Sequence, residues 1–544
     1  MKNKFSISLL VSFSVLMLLL CISVSADAVE HGKCGTDFNY VLEDNGTLTV
    51  SGSGKMPDWS SYQQVPWHSK RDSIKNVIIT SGVTSIGNFA FFNCPQLEAV
   101  NIPDGIKSIG NSAFYYCNSL KNVTLPDSVI SIGNWSFSYC TGLTNIIIPA
   151  ATESIGYQAF YCCTGLEKIA VDYNNKSYSS DSTGVLFNKD KTTIIRYPAG
   201  NTNYLYRIPS SVKNIDNYAF SHCDALGKIV IPDSVTKISK SAFLNTSYFN
   251  DAENWENGVL YIGKHLIASK SSLSGNYTVK AGTKTIADNA FYDCYALTSI
   301  TIPDSVTSIG MSLASCEKII VDSNNESYSS DETGVLFNKD KTILLKYPSK
   351  NKNTSYTIPS SVQTIADYAF ACCNNLTEIT FGADSRLTSI STGAFHDCYN
   401  IETVTMPYNV TSIGDYVFDS CYNLKSITIP NIAASVGNYT FFSCSGLTIT
   451  GHGGSTSQSY AENNRIPFTA LAIIYGDIKG DGTVDVSDVI FTLQLLASGN
   501  TEELCESQKT AADVNGDGKT DVSDIIRVLQ YLASSGSSSL NPNK

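Results

Sequence analysis

A 23-residue period constrains this chain more than any other feature. Segments 97–119 (LEAVNIPDGIKSIGNSAFYYCNS), 120–142 (LKNVTLPDSVISIGNWSFSYCTG) and 143–165 (LTNIIIPAATESIGYQAFYCCTG) align without a gap. Segments 74–96, 401–423 and 424–446 take the same frame; 297–318 is one residue short and 376–400 two residues long. A unit this small cannot bury its own apolar face. It must stack on neighbours of the same kind, and the product is a quasi-one-dimensional array with one continuous core. Apolar residues make up 42% of the 544 residues, which is enough for such a core and excludes whole-chain disorder.

The repeat reads L-x-x-I-x-I-P-x-S-V-x-S-I-G-x-x-A-F-x-x-C-x-x. In its first part apolar and polar residues alternate, the mark of a half-buried strand. Pro103, Pro126, Pro149, Pro303 and Pro430 end that strand, because proline cannot donate to a ladder. S-V-x-S-I-G predicts a second short extended piece. The A-F-x-x-C element then directs small, aromatic and thiol side chains inward on a short helical turn. Positions 101, 124, 147, 301, 380, 405 and 428 face solvent on the first strand, mostly as Thr, which suits an exposed sheet whether or not it recognises anything.

The pattern resembles the BspA-type leucine-rich repeat family. That resemblance implies an α/β repeat solenoid over 74–450, built mostly of short strands with short helical turns. It also implies an N-terminal cap over 27–73, with a hairpin signal at Asn45-Gly46, and a C-terminal cap over 451–474. Insertions are expected near 170–205, 245–280 and 320–356. Two are near-duplicates, SYSSDSTGVLFNKDKTTIIRYP at 177–198 and SYSSDETGVLFNKDKTILLKYP at 327–348, each reading as a hairpin that projects from the solenoid. They fit binding decorations and inert duplications equally well.

Sixteen cysteines are present. Eleven (Cys94, Cys117, Cys140, Cys163, Cys223, Cys294, Cys316, Cys373, Cys398, Cys421 and Cys444) occupy the A-F-x-x-C position or its counterpart. One thiol per repeat in one orientation makes a column of small buried hydrophobes, although an exported chain ordinarily pairs its cysteines. In the vicinal pairs Cys162-Cys163 and Cys372-Cys373 one member should face outward.

Export itself is read from the N-terminus. Lys2 and Lys4 precede an apolar run ending at Val24-Ser25-Ala26, which predicts a cleaved signal peptide over 1–26. An uncleaved anchor or a lipoprotein at Cys21 are the other readings. The net charge of −12 disfavours nucleic acid and anionic membrane surfaces as partners.

Beyond position 475 the composition changes. Between Tyr475 and Ala533 eleven acids face four bases. Carboxylates crowded to 4 Å repel by about 4 kcal/mol per pair at moderate effective dielectric, so a cation is called for. Asp513, Asn515, Asp517, Asp521 and Asp524 stand at positions 1, 3, 5, 9 and 12 of an EF-hand-type loop, with Gly518 at position 6 and the Lys519 carbonyl at position 7. Asp477, Asp481, Thr483, Asp485 and Asp488 repeat the frame 36 residues earlier. Each loop leads into an amphipathic helix: Val489, Ile490, Leu493 and Leu496, then Ile525, Ile526, Leu529 and Leu532.

Two such loops with Asp at position 12 look like a type I dockerin over 475–535, followed by a flexible tail over 536–544. The resemblance implies a small all-α calcium-binding module that plugs into a cohesin of a scaffolding protein, as in cellulosomes. By the same resemblance the cohesin contacts are Val486, Ser487, Leu493 and Gln494 in one copy and Val522, Ser523, Leu529 and Gln530 in the other. The two sets are identical, so a cohesin could meet either helix. Lys479 at position 3 of the first loop replaces an oxygen ligand by a cation and predicts a weaker first calcium site.

No catalytic motif is found. The six histidines form no H-E-x-x-H pair, and neither a G-x-S-x-G elbow nor a phosphate loop occurs. His452-Gly453-Gly454-Ser455 has only a faint likeness to an oxyanion loop. The expected protein is therefore a secreted, non-catalytic binding subunit with calcium as its cofactor. Its module would join a cohesin-bearing scaffold for polysaccharide breakdown, and its solenoid would recognise a protein or glycan. The alternatives are an enzyme or enzyme-regulating component of the same assembly, or a cell-surface adhesin.

Overall fold

The computed structural model describes residues 28–311, 313, 315–480, 482–499, 504–534 and 540. The expected signal peptide, Asp481 and all of the expected tail but Leu540 lie outside them. The chain divides into two units, 1–235 with 239–252, and 236–238 with 253–544.

In the first unit three antiparallel strands, Ala28–Lys33, Phe38–Glu43 and Thr47–Gly52, open a sheet of eight. From Thr47–Gly52 onward the pairing is parallel, one strand per coil: Asn76–Ile79, Ala99–Asn101, Asn122–Val123, Asn145–Ile148 and Lys168–Val171. Register is strict. Asn122 pairs Asn145, which pairs Lys168. A second ladder joins the S-I pieces, Ser85–Ser108–Ser131–Ser154 and Ile86–Ile109–Ile132–Ile155.

The third side of each coil is where sequence and structure part in detail. The predicted short helical turn is a pair of tight turns with left-handed residues four apart: Ser112 and Tyr116 (φ 53° and 61°), then Trp135 and Tyr139 (φ 52° and 62°). With these two residues reversed, alternate N–H groups point to the next coil instead of closing a helix. Ser112 N donates to Asn134 O (2.8 Å), Phe114 N to Ser136 O (2.8 Å) and Tyr116 N to Ser138 O (3.0 Å). All three bonds run forward, from one coil to the next.

Side chains fill the interior in columns. Phe91, Phe114, Phe137 and Phe160 stack with centroids 5.3, 5.2 and 5.8 Å apart. Trp67 closes the start of the column, 5.8 Å from Phe91, with its Nε1 donating to Ala90 O. Burying each ring stabilises by about 1.5–3 kcal/mol. The thiols form a second column with a polar task. Cys117, Cys140 and Cys163 Sγ donate to Phe91, Phe114 and Phe137 O at 3.2, 3.1 and 3.0 Å. Burial pushes the Cys117 thiol up to about 12. Every described cysteine is a free thiol. Of the vicinal pairs Cys372 is exposed, but Cys162 is buried together with Cys163. Burial raises the Cys162 thiol pKa, with Tyr161 and Tyr139 acting against that rise.

The second unit repeats the plan. Six parallel strands run from Ser355–Ile358 through Glu378–Phe381, Thr403–Thr405, Ser426–Ile429 and Thr448–Gly451 to Phe468–Ala470. Phe370, Phe395, Phe418 and Phe441 stack at 4.8, 5.1 and 5.7 Å. Helix Thr456–Asn463, capped by the Ser455 side chain, lays Tyr460 edge-on against Phe441 and ends the column.

The duplicated hairpins do not project. In the first, Tyr178–Ser180, Leu186–Asn188 and Thr193–Arg196 are antiparallel, and Thr193–Arg196 then pairs in parallel with Asn214–Ile215, the start of a new ladder. Leu186, Phe187, Ile194 and Tyr197 are fully buried. Their apolar inner face can be covered only by the coils, so the insertion is absorbed into the stack. The copy at Tyr328–Ser330, Leu336–Asn338 and Ile343–Lys346 does the same in the second unit.

Candidate functional site

The C-terminal module has three described helices, Val486–Ser498, Glu506–Ala512 and Val522–Ala533. Val489, Val514, Ile525, Val528 and Leu540 form its core. Leu540, expected in a free tail, is 7% exposed. A lone leucine beside a core this small gains more by packing into it than by staying in water.

Both acid-rich loops end in a capping box. Asp485 accepts from Ser487 N and Asp488 accepts from Asp485 N; Asp521 accepts from Ser523 N and Asp524 from Asp521 N. Capping explains positions 9 and 12 of each loop, but not positions 1, 3 and 5. In the second loop Asp513 takes N–H groups from Gly516, Asp517 and Gly518 at 2.8–3.0 Å, and Asn515 accepts from Asp517 N. Asp517 Oδ1 accepts from Lys519 N at 2.9 Å, which fixes the peptide at position 7. Gly518 has φ 82° and nothing within 4 Å of a Cβ built there. Asp524 is 1% exposed, and burial raises its pKa against the N–H groups of Asp521 and Asn515. The Ser523 hydroxyl and N–H hold Asp521 below the usual carboxylate range.

Among the described residues no three acidic, thiol or imidazole side chains close on one point. The carboxylates of the second loop rest on the loop's own N–H groups. Their donor chemistry nevertheless fits a hard divalent cation: oxygen at positions 1, 3, 5, 7, 9 and 12 around a glycine turn.

The first loop departs from this. Asp477 accepts from Gly482 N (2.8 Å), and Asp488 Oδ1 accepts from Lys479 N (3.1 Å). Lys479 Nζ donates to Ser487 Oγ at 2.8 Å. A position that supplies an oxygen in the second loop thus supplies an ammonium here, bonded to one of the expected contact residues. The loop also leans on the end of the repeat array. The Tyr408 hydroxyl donates to Lys479 O, His452 Nε2 lies 3.2 Å from Gly480 O, and Ser507 Oγ donates to Gly453 O at 2.9 Å. His452 is thereby engaged with backbone.

The two helices present matching outer stripes. Val486 and Val522 are each 58% exposed, Leu493 and Leu529 47% and 44%, and Gln494 and Gln530 are exposed. Ser487 and Ser523 begin the same faces, each with its N–H on the cap. Ile490 and Ile526, apolar residues of the amphipathic helices that the sequence did not count among the contacts, are 51% and 50% exposed and belong to these stripes. The spacing Val486–Ile490–Leu493 (i, i+4, i+7) was the signal that could have placed them on one face with the contacts. Val489, Thr492, Ile525 and Val528 point inward instead.

Comparison with known families assigns both parts. The description "BspA type Leucine rich repeat region" matches six copies over 68–183, 201–320 and 346–460, well over half of the chain. The chain belongs to the BspA-type leucine-rich repeat family. The description "Dockerin type I domain" matches 475–533. The C-terminal module is of a calcium-binding class that mediates assembly through cohesins, and a leucine-rich repeat body implies protein binding. No curated protein matches. Among solved structures, a leucine-rich repeat protein from Eubacterium ventriosum is 24% identical, covering 76% of this chain and 94% of its own, with TM-score 0.37. One from Bacteroides ovatus is 22% identical, covering 80% and 99%, with TM-score 0.30. A leucine rich cell surface protein from Faecalibacterium prausnitzii is 21% identical, covering 80% and 98%, with TM-score 0.28. No described helix is long and apolar enough to cross a membrane.

Proposed function

We propose that this BspA-type protein is a secreted, non-catalytic binding subunit. Its dockerin, loaded with calcium, fixes it to a cohesin-bearing scaffold of a polysaccharide-degrading assembly, and its repeat body captures a protein or glycan. The observation that carries this reading is the pair of similarly exposed stripes on the two loop-fed helices. Identical residues at similar exposure give one cohesin two ways to dock, related by about half a turn. Asp513, Asn515, Asp517, Lys519 (through its carbonyl), Asp521 and Asp524 hold the stronger calcium. Asp477, Asp481, Thr483, Asp485 and Asp488 hold the weaker one, with Lys479 standing where an oxygen ligand belongs. Calcium supplies charge compensation and joins each loop's two ends.

The test is a calcium-dependent pull-down of the full chain on a panel of cohesins, with 475–544 deleted as control. Capture that is lost with the module and with EDTA supports the reading; capture indifferent to both overturns it. Hydrolysis of glycans by the purified chain would replace the binding role with an enzymatic one.

A further inference from the structure

In the first unit three coils in succession pass their three forward hydrogen bonds to the next coil. The fourth, around Gly156–Cys163, cannot. The chain that follows it is the hairpin, whose third side is only the short run Tyr197–Gly200. Tyr197 still fills the aromatic column, 5.3 Å from Phe220, and its N–H still donates to Ala219 O (2.7 Å). Two other carbonyls of the next coil, Tyr218 O and Ser221 O, are taken by a side chain. Arg196 Nη1 donates to Tyr218 O (2.6 Å) and Ser221 Oγ (3.1 Å), and Nη2 donates to Ser221 O (3.1 Å).

Two consequences follow on the side facing the fourth coil. The N–H groups of Gln158, Phe160 and Cys162, which match the donors Trp135, Phe137 and Tyr139 of the coil before, meet no acceptor among the described residues. Arg196 is 5% exposed, pairs with no carboxylate among the described residues, and its Nε has no hydrogen-bond partner. Between them lies a cavity of about 140 Å³, lined by Tyr157, Gln158, Tyr161, Arg196, Asp216 and Tyr218 among others. Asp216 is the one carboxylate on its wall, and its Oδ1 accepts from Asn217 N at 2.7 Å. A buried guanidinium without a counter-charge is costly, and orphaned N–H donors add to that cost.

We propose that this cavity is a binding site for a small free organic carboxylate, held between the Arg196 guanidinium and the unpaired N–H row of the fourth coil. The volume is close to that of an engineered cavity of about 150 Å³ that accepts benzene, which sets the upper size of the ligand. A planar two-oxygen anion can bridge the facing donors as carboxylates bridge arginine elsewhere. The duplicated hairpin provides an internal control. There Lys346 replaces Arg196, and its single ammonium reaches Tyr368 O at 2.9 Å.

The full chain should bind 13C-acetate in saturation-transfer NMR, and crystals grown with acetate should carry it in this cavity. Arg196→Lys should weaken the binding by about tenfold or more, because a single ammonium keeps the charge but loses the two-pronged grip of the guanidinium, while Lys346→Met should leave it unchanged. Acetate binding untouched by Arg196→Lys overturns the proposal, as does water alone in the cavity of the unmodified chain. Binding of sulfate in preference to acetate also overturns it.

Discussion

The repeat array and the dockerin are ordered by opposite means. In the array each coil is held by what its neighbour repeats: two β ladders, a forward ladder of turn N–H groups, a ring column and a thiol column. Its charges are sparse and its cohesion is apolar and local, so losing one coil's contribution weakens but does not dissolve the rest. The dockerin has five core residues and eleven acids. We propose that its order depends on a cation that neutralises the loops. Repetition thus substitutes in one region for what an ion supplies in the other.

The largest difference should appear on chelation. EDTA should unfold the module while the array keeps its structure, seen by hydrogen exchange as loss of protection confined to about 475–533. Equal protection in both regions with EDTA would erase the distinction. Next, Phe395→Ala should destabilise the array by about 3–5 kcal/mol in denaturant melts and leave cohesin affinity unchanged. A coupled loss of affinity would mean that the two regions fold as one. Third, Val486→Asp with Ser487→Asp should cost less than about twofold in cohesin affinity, whereas adding Val522→Asp and Ser523→Asp should cost about a hundredfold or more. A complete loss from the first pair alone would remove the dual mode. Fourth, Cys421→Ala should cost about 1–2 kcal/mol in the array, from the lost bond to Phe395 O at 3.2 Å and the smaller side chain. The smallest effect should come from Lys479→Asn. Calorimetry should show two tight calcium ions in place of one tight and one weak, with a slight gain in melting temperature.

Much of this molecule was legible beforehand because its signals are local and repeated. A strand ended by proline, an inward Phe and Cys, and loop acids at fixed positions each report a backbone requirement within a dozen residues. What escaped was of another kind. The A-F-x-x-C element reads as a helical turn because nothing in residues such as Trp135 or Tyr139 advertises a positive φ; only the bonds to the next coil make that backbone worthwhile. Ile490 and Ile526 went unassigned because an amphipathic helix does not say which of two adjacent apolar residues meets a partner inside. Leu540 sits too far from its helix for any periodicity to include it. The hairpins are legible as hairpins in the sequence, yet whether their apolar face projects or is swallowed depends on the coils around them.

Order along the chain was therefore written in the residues: the period of the coils, the spacing of the loops, the place where one regime gives way to the other. Closure in space was not. The burial of Arg196 without a counter-charge, the lysine bonded to Ser487 and the contact of His452 with Gly480 join residues 8 to 28 positions apart. Such juxtapositions arise only after stacking has set which orphaned donors and charges meet, because a hydrogen bond or an unpaired ion is a property of two surfaces rather than of one segment.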